Sequence, residues 1–249
     1  MTEIPTIAPL KNVMLFSEMV ERTMARPAHL PGMATFHGPS GFGKTFAATY
    51  AAHIHRAYYL EVGAFWTVKS FCDALLEETG PLVRGTISEK MKVIIERLHG
   101  SRRPLIIDEF DHMVTDKKID LVREIHDATN IAIILIGEEM LPQKLGRWER
   151  VHNRISQWVG AEPATISDAA HLARHYCREI EISEDVIKAI AVASEFRPRR
   201  ICVNLEQVRQ AAIAKGLTAI GMSDLDFKWY TGTAPKGRAF DAALKRGRG

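Results

Sequence analysis

Gly38-Pro39-Ser40-Gly41-Phe42-Gly43-Lys44-Thr45 fills every position of the pattern G-x-x-x-x-G-K-[ST]. The glycines let the backbone curl so that successive N–H groups converge on an anion. Lys44 brings a point charge to β- and γ-phosphates, and the Thr45 hydroxyl is a ligand for Mg²⁺. The flanks agree with this reading. Met33-Ala34-Thr35-Phe36-His37 is a short apolar strand, and the residues from Phe46 onward open a helix. Strand, loop and helix N-terminus in that order aim the helix dipole at phosphate. All eight positions, from Gly38 to Thr45, are therefore expected to hold the nucleotide's phosphates.

Working outward, an amphipathic helix is expected over 11–26, ended by Pro27 and the Pro31-Gly32 turn. A strand at 33–37 and a helix at 44–55 bracket the loop. Tyr58 to Val62 reads as a second strand, and helices follow over 67–79 and 87–99. Leu105-Ile106-Ile107 is continuous in apolar character, as a buried parallel strand is. A helix over 116–128, a buried strand over 131–136, helical segments near 138–155 and a strand at 157–161 complete the alternation. It predicts an α/β core with a parallel sheet covered by helices on both faces.

Composition shifts near Glu162-Pro163. Beyond it the pattern is helical, over roughly 167–179, 183–194 and 199–215, with a short helical piece around 223–230 and no strand. The expected division is a nucleotide-binding α/β domain over 1–162 that includes the N-terminal helix, a small helical domain over 163–232, and a basic flexible tail over 233–249.

Leu105-Ile106-Ile107-Asp108-Glu109 supplies the second half of an ATPase site. An apolar strand ending in Asp places that carboxylate at the carboxyl edge of the sheet, where Asp108 holds Mg²⁺ beside Thr45. Glu109 is the natural base or positioner for an attacking water.

Bulk properties exclude several classes. At 249 residues, 46% hydrophobic and 25% charged, the chain has the composition of an ordinary soluble globular protein. The apolar run from Ile131 to Ile136 is far too short to cross a bilayer. Glu3, Pro5 and Pro9 interrupt any signal-peptide pattern. Cys72, Cys177 and Cys202 are odd in number and lack metal-ligand spacing, which points to thiols of a reducing compartment and a cytoplasmic protein. Net charge is +3, yet Lys236, Arg238, Lys245, Arg246 and Arg248 stand against Asp241 alone in the tail. Such a tail either binds nucleic acid or acidic surfaces or is simply solvated.

Phosphate loop, Asp-Glu strand, a further strand, an arginine-bearing segment and a helical lid together resemble the AAA+ ATPases over most of the chain. That resemblance implies an arginine donated in trans by a neighbouring subunit. Arg147, Arg150 and Arg154 occupy the corresponding segment, and Arg154, directly before the last strand, fits best. It also implies a polar sensor after strand 131–136, but the residues there are Gly137-Glu138-Glu139, so Glu138 stands in its place. Phe196-Arg197-Pro198-Arg199 resembles the Gly-x-Pro-Arg opening of the lid helix, with Phe196 for glycine, and makes Arg199 the sensor in cis.

Within that family the compact layout is most similar to the ATPases that assist DNA transposition, the group of the phage Mu B protein. The resemblance implies ATP and Mg²⁺ as cofactors, a ring or helical homo-oligomer on duplex DNA, and a transposase as partner. Lys69, Lys117 and Lys118 fall in segments that can face a DNA-filled channel, and Lys245, Arg246 and Arg248 add backbone contacts. No recognition helix stands out, so binding is expected to lack base readout. A helicase loader of the DnaC type, or a regulatory ATPase of a secretion or signalling system, would use the same core.

Overall fold

The structure, a computed structural model, describes residues 10–233, apart from the side chains at 116 and 117. Helix α1 (Lys11–Ala25) leads into strand β1 (Met33–His37), helix α2 (Lys44–His55) and strand β2 (Tyr58–Glu61). Helices α3 (Val68–Thr79) and α4 (Ile87–Leu98) precede strand β3 (Leu105–Asp108) and a 3-10 turn at Phe110–Met113. Then come α5 (Asp116–Thr129), β4 (Ile133–Gly137), the short α6 (Leu141–Leu145) and α7 (Glu149–His152), and β5 (Ile155–Gly160). The five strands form one parallel sheet in the order β2-β3-β4-β1-β5.

Strand alternation divides the apolar side chains between two cores. Ala34, Phe36, Ile106, Ile134 and Ile136 face α1, α2 and the C-terminal helices. Met33, Leu105, Ile107, Ile133 and Leu135 face α3, α4 and α5. The period of two in side-chain direction turns a continuous apolar strand into two buried faces. Phe16 of α1 meets Phe36 edge-on with centroids 5.1 Å apart, which anchors α1 over β1.

The C-terminal helical region consists of α8 (Ile166–Tyr176), α9 (Glu184–Ala193) and α10 (Pro198–Ala214). Thr165 opens α8 in a reciprocal capping box with Asp168. Two-residue strands β6 (Glu181–Ile182) and β7 (Ala219–Ile220) pair in parallel, where the sequence pattern shows no strand. Around 223–230 the only helical turn is a 3-10 turn at Met222–Asp224. Strand β4 begins two residues later than its apolar run suggests and β5 two residues earlier than expected. None of the described helices is long and apolar enough to cross a membrane.

Candidate nucleotide site

The phosphate loop leaves the head of β1 and ends at the start of α2. Gly41 and Gly43 have φ of 85° and 80°, left-handed values that any side chain would strain. Gly43 is also the N-cap of α2 and contributes no capping side chain. The first N–H groups of the helix are therefore left for an anion, and Gly43, Lys44 and Thr45 line a cleft of about 1230 Å³. Asp108 and Glu109 line the same cleft.

Lys44 donates from Nζ to the carbonyls of Gly38 at 2.6 Å and Pro39 at 3.0 Å. Burial lowers its pKa, while Glu109, Asp108, Glu138 and Asp111 oppose that shift. One cation thus stands before four carboxylates. Asp108 is 2% exposed; its Oδ1 accepts the Glu109 N–H at 2.8 Å and its Oδ2 accepts the Tyr59 hydroxyl at 3.1 Å. Glu109 has φ of 54°, a left-handed turn that swings it off the strand axis. Desolvation, then Asp108, raises its carboxyl pKa above the ordinary range. That shift brings a carboxylate closer to the pKa of a useful base.

Mg²⁺ takes oxygen ligands and is commonly held by one or two carboxylates together with substrate phosphates. Thr45 and Asp108 offer such oxygens in one cleft, and no cluster of three His, Cys, Asp or Glu suited to a metal occurs among the described residues. This donor set fits Mg²⁺ carried with a nucleotide.

At the head of β4 a side chain at 137 is excluded for a structural reason. A Cβ on Gly137 would fall 2.2 Å from Oδ2 of Asp111. Asp111 accepts the Glu138 N–H at 2.6 Å and pairs with Lys144 of α6 at 2.6 Å. A carboxylate from the turn after β3 therefore occupies the space beside the strand end, and Glu138 lines the cleft next to it.

The start of α10 lies on the phosphate loop. Glu195 and Phe196 both take left-handed φ, 51° and 56°, so Phe196 adopts the conformation that a glycine favours. The Arg199 N–H approaches the Gly41 carbonyl at 3.4 Å, and Arg197 donates to the Ser40 carbonyl at 3.2 Å with its guanidinium over the Phe42 ring. Pro198 and Arg199 both line the cleft. Arg154 lies elsewhere, at the foot of β5, where its carbonyl accepts the Met33 N–H. Its guanidinium grips Asp127 of α5. Arg150 is on α7, and Arg147 lies in the turn before it.

Four contacts had no signal in the sequence. Asn12 donates to the carbonyls of Phe42 and Glu162, each at 2.8 Å, and accepts the Glu162 N–H. Asp168 accepts the Lys11 N–H at 2.9 Å. The Tyr59 and Asp111 contacts complete the set. All four join residues far apart in the chain; the nearest, Asp111 and Glu138, are separated by α5 and β4.

Lys69 is exposed on the first turn of α3, and Lys118, half-buried, donates to the His112 carbonyl at 3.2 Å. The side chain of Lys117, and Lys245, Arg246 and Arg248, lie outside the described residues.

Solved structures of similar fold include the Aeropyrum pernix ORC2 protein in ADPNP–ADP complexes, at TM-score 0.65 and 14% identity, over 85% of this chain and 65% of that one. The Aeropyrum pernix ORC1 protein in complex with DNA matches at TM-score 0.60 and 16% identity, over 89% and 64%. The Thermotoga maritima RuvB Holliday junction branch migration motor matches at 0.57 and 17%, over 86% and 66%. The chain thus spans a little under two thirds of the length of these structures. No curated protein matches it. Residues 28–145, which hold the phosphate loop and the Asp-Glu strand, match the model of the family described as an AAA domain.

Proposed function

We propose that the protein is an ATPase of DNA transposition that assembles as an oligomer on target duplex DNA and recruits or stimulates a transposase. The observation that carries the nucleotide half of this reading is the convergence of Lys44, Thr45, Asp108, Glu109 and Arg199 on one cleft. The loop N–H groups and Lys44 hold the phosphates. Glu109 holds and orients the attacking water. Thr45 and Asp108 would hold Mg²⁺, which would supply positive charge beside the phosphate oxygens. The helices from α8 to α10 act as a lid, whose Arg199 reaches the γ-phosphate in cis, while Arg154 serves the neighbouring subunit's site.

The DNA half rests on the resemblance to the transposition ATPases, the exposed Lys69 and the basic tail. It is supported by likeness in fold to the ORC1 protein, which was solved in complex with DNA, and to RuvB, a branch migration motor. A second reading uses the same core: a helicase loader of the DnaC type, which would prefer single strands and dock a helicase. ATP turnover with duplex, single-stranded and no DNA, read beside electron micrographs, separates the two. Duplex-stimulated turnover with ATP-dependent filaments is expected. Stimulation by single strands alone would favour the loader, and indifference to every nucleic acid would remove both.

A further inference from the structure

Asp108 is nearly sealed from solvent, so its carboxylate depends on protein donors. Among the described residues it has two, the Glu109 N–H and the Tyr59 hydroxyl. The first comes with the backbone of the next residue and is unaffected by side-chain substitution. The second comes from the edge strand β2, one strand away in the sheet. Glu61 pairs with Asp108 across β2 and β3, so Tyr59, two residues earlier, lies on the same face and reaches diagonally to the carboxylate.

The phenol has an alternative that it does not take. Tyr59 is only partly buried and could satisfy its hydroxyl with water.

We propose that Tyr59 is a positioning residue for the metal site: its hydroxyl fixes the Asp108 carboxylate. This rests on the Mg²⁺–nucleotide reading of the cleft. A carboxylate oriented by an outer hydrogen-bond donor meets a metal, or the water bound to it, without a loss of rotamer freedom on binding. Removing such a partner typically costs about tenfold or more in metal affinity.

The experiment is a titration of Mg²⁺ against binding of a fluorescent ATP analogue, with full-length wild-type and Tyr59→Phe proteins. The wild type is expected to bind more tightly as Mg²⁺ rises. Tyr59→Phe should keep the EDTA affinity and thermal midpoint of the wild type, but need about tenfold more Mg²⁺ for half of that tightening. An unchanged Mg²⁺ midpoint in Tyr59→Phe overturns the inference. So does an equal loss of affinity with and without Mg²⁺, which marks a packing role. In the Asp108→Asn background Tyr59→Phe should have no further effect on the Mg²⁺ midpoint, and a full additional effect would also overturn it. If the wild type shows no Mg²⁺-dependent tightening, the Mg²⁺ reading itself fails, whatever Tyr59 does.

Discussion

Arg154 holds Asp127 of its own chain with two nitrogens, Nη2 reaching Oδ2 at 2.7 Å and Nε reaching Oδ1. A third, Nη1, donates to the Arg150 carbonyl. The guanidinium is planar and forked, so this grip fixes its plane while leaving other N–H groups to donate. Arg154→Ala is expected to lower turnover on the order of a thousandfold with nucleotide binding intact, the scale of a lost arginine in phosphoryl transfer. Asp127→Asn should lower turnover less, because the arginine remains but loses its orientation. Steady-state ATPase rates paired with equilibrium nucleotide binding test both. Normal turnover in Arg154→Ala would move the role to Arg147 or Arg150.

Lys44→Ala should abolish nucleotide binding and assembly together, measured by fluorescent-nucleotide binding and light scattering. Glu109→Gln should bind ATP and remain assembled on DNA while hydrolysis falls by two to four orders of magnitude, roughly the span attributed to general base catalysis. Retained turnover in Glu109→Gln would remove Glu109 from the role of base.

Glu109 also makes a prediction about stability. A carboxyl whose pKa is raised on folding binds its proton more tightly in the folded chain. Folding stability therefore falls as pH rises from the ordinary glutamate value, about 4.3, through the raised one. Glu109→Gln removes that penalty. The variant's thermal midpoint should exceed the wild type's at pH 7, with the gain vanishing below about pH 4. Scanning calorimetry across pH gives the answer, and an equal gain at both ends would assign the effect to something other than ionisation.

Asp111 supports the head of β4. Its side chain is 8% exposed and accepts from both the Lys144 ammonium and the Glu138 N–H. Asp111→Ala should cost about 1.5–3 kcal/mol, the scale of hydrogen bonds to a charged group. Gly137→Ala should cost a similar amount, about 1–3 kcal/mol, by forcing its methyl against the Asp111 carboxylate. In Asp111→Ala, Gly137→Ala should cost less, because only Leu141 Cδ2, 2.8 Å from the new methyl, is left to give way. Urea unfolding of the three variants checks the non-additivity.

The sheet was legible because its signals are local. The phosphate loop marks one strand end and one helix start, and both observed boundaries agree with the reading. Where an apolar run is continuous, the boundary blurs. Ile131 and Ala132 are buried, yet precede β4, because the chain is still leaving the left-handed Asn130 that ends α5. Strand β5, at the sheet edge, alternates in burial, and its first residues are too polar to announce a strand. Pairs of two-residue strands have no periodicity to detect. The site was legible as far as single motifs reach. Missing were the contacts that tie the motifs together, Asn12 to Phe42 and Tyr59 to Asp108, since spacing along a chain does not reveal which distant side chains meet.

Arg154 stands at the foot of β5, and the phosphate loop leaves the head of the neighbouring β1. Five residues of strand, about 17 Å, separate those levels, more than an arginine can span while holding Asp127. If Arg154 serves catalysis, no isolated chain can bring its own arginine to its own phosphate. Turnover then has a kinetic order above one in protein: diluted far enough, each molecule should bind ATP normally and hydrolyse almost none.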